Sequence, residues 1–205
     1  MRSGYWVKGP TFIENLYRQG TLKTPWFSFV LYEQSSGLQS YMCLGGDEPN
    51  LYRDDLHWLH NISNHYWMVQ ITHVGFGHTF GATKGTAVID SGTSFIMVPP
   101  AILAGIYQLT RAAQADENFY SVDCKSYKHL PTITLKINGK LKVPLYPEDY
   151  VDVNDDNCYL NFLPMDKDPQ ANSPDWMLGA SFLRAYYVVF DAAENRIGLA
   201  RYMHK

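Results

Sequence analysis

Ala87-Val88-Ile89-Asp90-Ser91-Gly92-Thr93-Ser94 joins a wholly apolar run to an acid followed by hydroxyl residues and a glycine. Ala87, Val88 and Ile89 are apolar on both faces, the pattern of a strand deep inside a structure. An aspartate follows them directly, and hydroxyl residues and a glycine follow the aspartate. Asp-Ser-Gly alone is a common turn sequence. A carboxylate at the end of a fully apolar strand is different, because its charge must be met by hydrogen bonds. Ser91, Gly92, Thr93 and Ser94 all carry donors that serve this need. A charge with donors converging on it marks Asp90 as a candidate working group.

Outward from this stretch the chain reads as many short strands. Phe27, Phe29 and Leu31 alternate with Ser28 and Val30, and Ser35-Ser36-Gly37 turns the chain into a second strand through Tyr41 and Leu44. Trp67, Val69 and Ile71 form another alternating run. Ile133, Leu135 and Ile137 lead into Asn138-Gly139 and then Leu141 and Val143, a strong hairpin signal. Tyr186 to Phe190, Asn195, and Ile197 to Ala200 read as a strand pair. Helical spacing occurs at Phe12 to Tyr17 and at Ile102, Leu103, Ile106 and Leu109 after Pro99-Pro100. We expect short helices near 12–18, 101–113 and 180–185 in one mostly β domain. The polar, Pro-containing run Asp166 to Asp175 is a candidate linker.

Bulk properties narrow the function classes. Of 205 residues, 46% are hydrophobic and 18% charged, enough to build a core and unlike a disordered tail. The formal net charge of −3 offers no basic excess for phosphate neutralisation, so no nucleic-acid partner is expected. No run of about 18 apolar residues is present to form a membrane span, and Met1 to Trp6 lack a signal-peptide core. Cys43, Cys124 and Cys158 read as one bridge and one buried thiol. Asn61-Ile62-Ser63 is a glycosylation sequon. His57, His60 and His65 have no acidic or thiol ligand at metal-site spacing, so no metal and no cofactor are expected.

Further blocks surround the Asp90 motif in a fixed order. Leu44-Gly45-Gly46-Asp47, Leu56-His57-Trp58 and Tyr66 to Ile71 precede it. Trp176-Met177-Leu178-Gly179, Phe182 to Asp191 and Arg196-Ile197-Gly198-Leu199-Ala200 follow. Together they resemble the pepsin-like aspartic proteases across roughly residues 9 to 203, and specifically the C-terminal lobe of that bilobal acid protease fold. The run Asp90 to Ser94 with Val98-Pro99 is similar to the protozoan plasmepsin-type enzymes. Ala180 departs from the family, many of whose members carry Asp after Leu-Gly.

The resemblance implies a single C-terminal lobe over residues 1–205, with Asp90 as the second catalytic aspartate. Ser91 would brace the active-site loops with Ser94 in support, and Gly92 and Thr93 would bond the peptide backbone. Val88 would line a subsite, and Leu178-Gly179 would thread beneath the aspartate loop. Cys124 and Cys158 would form the lobe's disulfide. The family reaction needs two carboxylates about 3 Å apart sharing one proton, and Asp90-Ser91-Gly92 is the only Asp-(Ser/Thr)-Gly in the chain. The expected partners are therefore an N-terminal protease lobe, supplying the first aspartate, and a peptide or protein substrate. The isolated chain is expected to be inactive. The expected setting is the secretory pathway, a vacuolar or lysosomal-type organelle, or the exterior. Two alternatives stay open: a non-catalytic lobe that binds peptide or protein, and a homodimer pairing two copies of Asp90.

Overall fold

In the computed structural model, which describes residues 9–33, 36–77, 79–117, 119–166 and 173–203, the chain divides into two units. Residues up to 69 and from 183 onward make the first, and residues 70–182 the second. The first unit opens with helix α1 (Phe12–Arg18), whose capping box pairs Thr11 with Glu14. Its strands are β1 (Trp26–Val30), β2 (Tyr41–Leu44), β3 (Tyr52–His60), β15 (Tyr186–Asp191) and β16 (Arg196–Tyr202). They form an antiparallel sheet in the order β2-β1-β15-β16-β3.

β15 runs through the centre of this sheet, and all six of its residues are buried. On one face Tyr187 and Val189 pack with Val30 and Tyr202. On the other, Phe190 stacks on Phe27 at 4.8 Å and leans on Trp67 at 5.2 Å. Tyr187 brings a hydroxyl into the core and satisfies it fully. It accepts from the Glu48 amide at 3.0 Å and shares a proton with Ser28 at 2.8 Å. Cys43 donates to Glu48 Oε1 at 2.8 Å, and Tyr41 donates to Oε2 at 3.0 Å. Burial, and then the Glu48 carboxylate, push the Cys43 thiol up to about 11.

The sequon residue Asn61 is only 1% exposed. Its Nδ2 donates to the Ser63 carbonyl and to Asn195 Oδ1, both at 2.8 Å, while its Oδ1 accepts from the Met68 amide. The side chain thus ties the turn after β3 to the turn between β15 and β16.

The second unit holds strands β4 (Met68–Phe76, from Gln70 onward), β5 (Thr79–Ile89), β6 (Ile96–Val98), β9 (Ile133–Ile137), β10 (Leu141–Leu145), β13 (Phe162–Pro164) and β14 (Trp176–Leu178). They form a seven-stranded sheet in the order β10-β9-β4-β5-β14-β6-β13. The β9–β10 hairpin turns on Asn138 and Gly139, with φ of 49° and 73°, the left-handed pair that Asn-Gly supplies. A smaller sheet orders β11 (Val151–Asn154), β12 (Asn157–Leu160), β8 (Tyr120–Val122) and β7 (Ala113–Gln114). Short helices α2 (Pro100–Thr110), α3 (Pro147–Tyr150) and α4 (Ala180–Ala185) complete the set.

Two expectations shift. Helix α2 stops at Thr110 instead of reaching 113, because Arg111 turns left-handed at φ 53° and the chain re-enters a strand at Ala113. Leu109, assigned to the apolar stripe, is 48% exposed, while Leu103 and Ile106 are buried. The proposed linker falls mostly at 167–172, outside the described residues, as do Met1 to Trp6 and Ser35.

β14 fixes the site's framework. It is inserted between β5, to which it runs parallel, and β6, to which it runs antiparallel. Beyond it, three successive amides turn back onto the segment that follows Asp90. Gly179 N donates to Phe95 O (3.2 Å), Ala180 N to Thr93 O (2.7 Å) and Ser181 N to Ser94 O (3.0 Å). A Cβ on Gly179 would stand 2.3 Å from the carbonyl oxygens of both Thr93 and Phe95, so only glycine fits. Both contacts are backbone and have no rotamer through which to yield.

Two outcomes are expected. Gly179→Ala should cost at least about 3 kcal/mol, read as a lowered midpoint in chemical unfolding. The Cys124–Cys158 bridge closes a separation of 34 residues, and its reduction should cost about 3–4 kcal/mol in the chain-entropy account. In non-reducing peptide maps it should appear as the bridge, with Cys43 a free thiol. Iodoacetamide near neutral pH should leave native Cys43 unmodified. The raised thiol favours the fold fully below its ordinary value of 9.0, and that contribution drains away as pH climbs to about 11.

Candidate active site

Asp90 leaves the end of β5 where the buried run Ala87, Val88 and Ile89 stops. Its backbone is fixed before its side chain is. The Asp90 amide donates to Leu178 O on β14 at 3.0 Å, and Thr93 N closes a turn onto Asp90 O at 3.3 Å. The Leu178 side chain is fully buried, so the strand that receives Asp90 is itself anchored.

The carboxylate is half-buried and takes one protein donor on each oxygen. Gly92 N donates to Oδ1 at 3.1 Å, and Thr93 Oγ1 donates to Oδ2 at 2.8 Å. Glycine suits this approach, since a Cβ at residue 92 would press to 3.3 Å from Oδ1. A carboxylate has about four lone-pair sites, so two bonds orient the group and leave capacity for a water or substrate atom. Thr93 Oγ1 also lies 2.7 Å from Met177 Sδ. The hydroxyl has a single proton, and the charged oxygen outcompetes the thioether for it.

The structure brings most of the predicted residues to one loop. Ser91, Gly92 and Ser94 are exposed on it, and Thr93 is half-buried. Gly92 and Thr93 supply the expected donors to Asp90. The Ser91 and Ser94 hydroxyls make no bond to it, although Ser94 O holds two donors from Ser181, N at 3.0 Å and Oγ at 2.9 Å. Val88 lies in register with Met177 and is only 6% exposed. Cys158 lies on β12 of the smaller sheet, and Cys124 sits in the turn just after β8.

Sequence reasoning missed two contributors. Ser181 locks the far end of the loop, and nothing in a serine beside a family block announces it. Met177 stands beside Thr93, and its thioether carries no polar pattern to read. His57 and His60 sit exposed on β3. Among the described residues no cluster of three or more His, Cys, Asp or Glu could hold a metal, and no helix is long and apolar enough to cross a membrane.

Comparisons with known proteins follow the same lines as the geometry. The family profile for eukaryotic aspartyl protease matches residues 4–202. The gastricsin of Callithrix jacchus is 32% identical over 193 residues, covering 93% of this chain and 50% of the relative. The gastricsins of Suncus murinus and Homo sapiens are 34% and 31% identical, again over 93% of this chain and 50% of theirs. The chain thus spans about half the length of the curated relatives it matches. With Asp90-Ser91-Gly92-Thr93 set at the end of β5 and braced by β14, and a profile match over nearly every residue, the chain belongs to the eukaryotic aspartyl proteases of the pepsin-like family.

Proposed function

We propose that this chain is the C-terminal lobe of a two-lobed aspartic endopeptidase, contributing Asp90 to a catalytic pair whose other member lies on an N-terminal lobe. The observation that carries the reading is the state of the Asp90 carboxylate. It is held by one donor on each oxygen, on a loop pinned at both ends, with lone pairs left over. A structural turn would not need that degree of fixation around an acid at the end of a buried strand.

The chemistry follows from two acids and one proton. Like-charge repulsion across about 3 Å keeps one carboxyl protonated beside an ionised partner. The ionised one takes a proton from water as the water oxygen attacks the amide carbon. The protonated one donates to the carbonyl oxygen, and a proton later reaches the leaving nitrogen as the C–N bond breaks. Thr93 and Gly92 hold Asp90 in place for this exchange, and preorganisation of that kind needs no rearrangement during the reaction. Substrates are peptides or proteins, with large apolar residues beside the cleaved bond. The disulfide supports an oxidising secretory setting, with a vacuolar, lysosomal-type or extracellular destination.

The test is cleavage of a fluorogenic peptide by the full-length enzyme, with and without a statine-type inhibitor. Asp90→Asn should lower kcat by about two to four orders of magnitude, because the amide neither accepts nor shares the proton. Ser91→Thr keeps the hydroxyl and should be mild, whereas Ser91→Ala should cost more. Residues 1–205 alone should hydrolyse no peptide. Inhibitor-sensitive turnover by that chain would point to a homodimer, and a full-length Asp90→Ala enzyme with undiminished rate would remove the catalytic assignment.

A further inference from the structure

Met177 touches the proposed catalytic apparatus without a part in its proton transfers. On β14 it pairs with Val88 on one side and Met97 on the other, and it is half-buried. Its Sδ lies 2.7 Å from Thr93 Oγ1, the same hydroxyl that stands 2.8 Å from Asp90 Oδ2. The hydroxyl has one proton and two acceptors in reach. A thioether is a weak acceptor and a carboxylate a strong one, so in the reduced protein the proton goes to Asp90. That preference is widest against a thioether, and a sulfoxide oxygen, a far stronger acceptor, narrows it. Oxidation turns an apolar side chain into a polar one, and here the new oxygen is attached to an atom already in contact with the Thr93 hydroxyl.

We propose that Met177 is an oxidative modification site coupled to the catalytic carboxylate: its sulfoxide draws the Thr93 hydroxyl away from Asp90 and turns the site down. The step balances with hydrogen peroxide as oxidant. A sulfur lone pair attacks one peroxide oxygen, the S–O bond forms, the O–O bond breaks, and the departing oxygen leaves as water with both protons. Sulfur is oxidised by two electrons and peroxide is reduced by two. Met177 acts through Thr93, so it is a positioning residue. The inference rests on the reading of Asp90 as one of the catalytic pair.

The experiment exposes the full-length enzyme to hydrogen peroxide, maps oxygen uptake on each methionine by mass spectrometry, and follows peptide cleavage. We expect kcat to fall on the order of tenfold in step with oxygen on Met177, the scale of one lost bond to a charged group. KM and the melting temperature should hold, which separates a positioning effect from general damage. Methionine sulfoxide reductase should restore the rate. Met177→Leu, close in volume, should keep its rate through the same treatment while exposed Met42 still gains oxygen. Met177→Ile serves where the leucine variant fails to fold. Loss of rate in the variant equal to that in the parent overturns the proposal. So does unchanged kcat with Met177 oxidised, or a Met177 that takes up no oxygen in the native enzyme. Asp90→Asn is assayed alongside. Activity surviving in it removes the catalytic reading, whereas its loss with a peroxide-indifferent parent removes only the role of Met177.

Discussion

The backbone bonds made by residues 178–181 hold the Asp90 loop, and the rest of the second unit is arranged around them. Leu178 O receives the Asp90 amide, and the next three amides are spent on the carbonyls of residues 93, 94 and 95. The loop between has little freedom left, because its start and its finish are held by one continuous stretch of chain. A loop would normally be the most mobile part of a site. Here a short buried strand gives it the rigidity of a sheet, which is what the proposed catalytic role of Asp90 requires.

In the first unit a chain of polar side chains, matched one to another, runs from the buried core to the surface. Ser28 is fully buried, yet its hydroxyl meets that of Tyr187. Glu48 is used by backbone and side chain alike, its amide bonded to Tyr187 and its carboxylate receiving Cys43 and Tyr41. Burial lifts Tyr187 to about 12, as desolvation of a phenolate should. Burial and the Glu48 carboxylate keep the Cys43 thiol protonated and chemically quiet, while the other two cysteines close their bridge.

Most strands were legible from the sequence wherever alternation ran for several residues. Phe27 to Val30, Ile133 to Ile137 and Tyr186 to Phe190 all became strands, and Asn138-Gly139 became the tight turn that its composition demands. The short strands Ile96–Val98, Phe162–Pro164 and Ala113–Gln114 were not legible, since two or three residues carry no periodicity and owe their pairing to partners distant in the chain. Helix α2 overran its true end because apolar spacing says nothing of the left-handed residue that stops it. At the site, Asp90, Gly92 and Thr93 were readable from chemical type. Met177 and Ser181 were not, because their roles arise only when β14 is laid beside β5. The oxygen of Ser94 is a similar case: its neighbours in sequence give no hint of the two donors it collects.

Asn61 illustrates how a sequence motif and a fold can lay claim to one atom. Its amide nitrogen has two hydrogens, and both are engaged, one by Ser63 O and one by Asn195 Oδ1. An oligosaccharide attached to that nitrogen would replace one of those hydrogens and demand room where the residue is almost wholly enclosed. Glycan and native turn are therefore mutually exclusive states of the same side chain. Any sugar transfer to Asn61 would have to act on an open chain, before this turn forms. Once the turn at 61–68 has closed against Asn195, the acceptor has been withdrawn from the enzyme's reach.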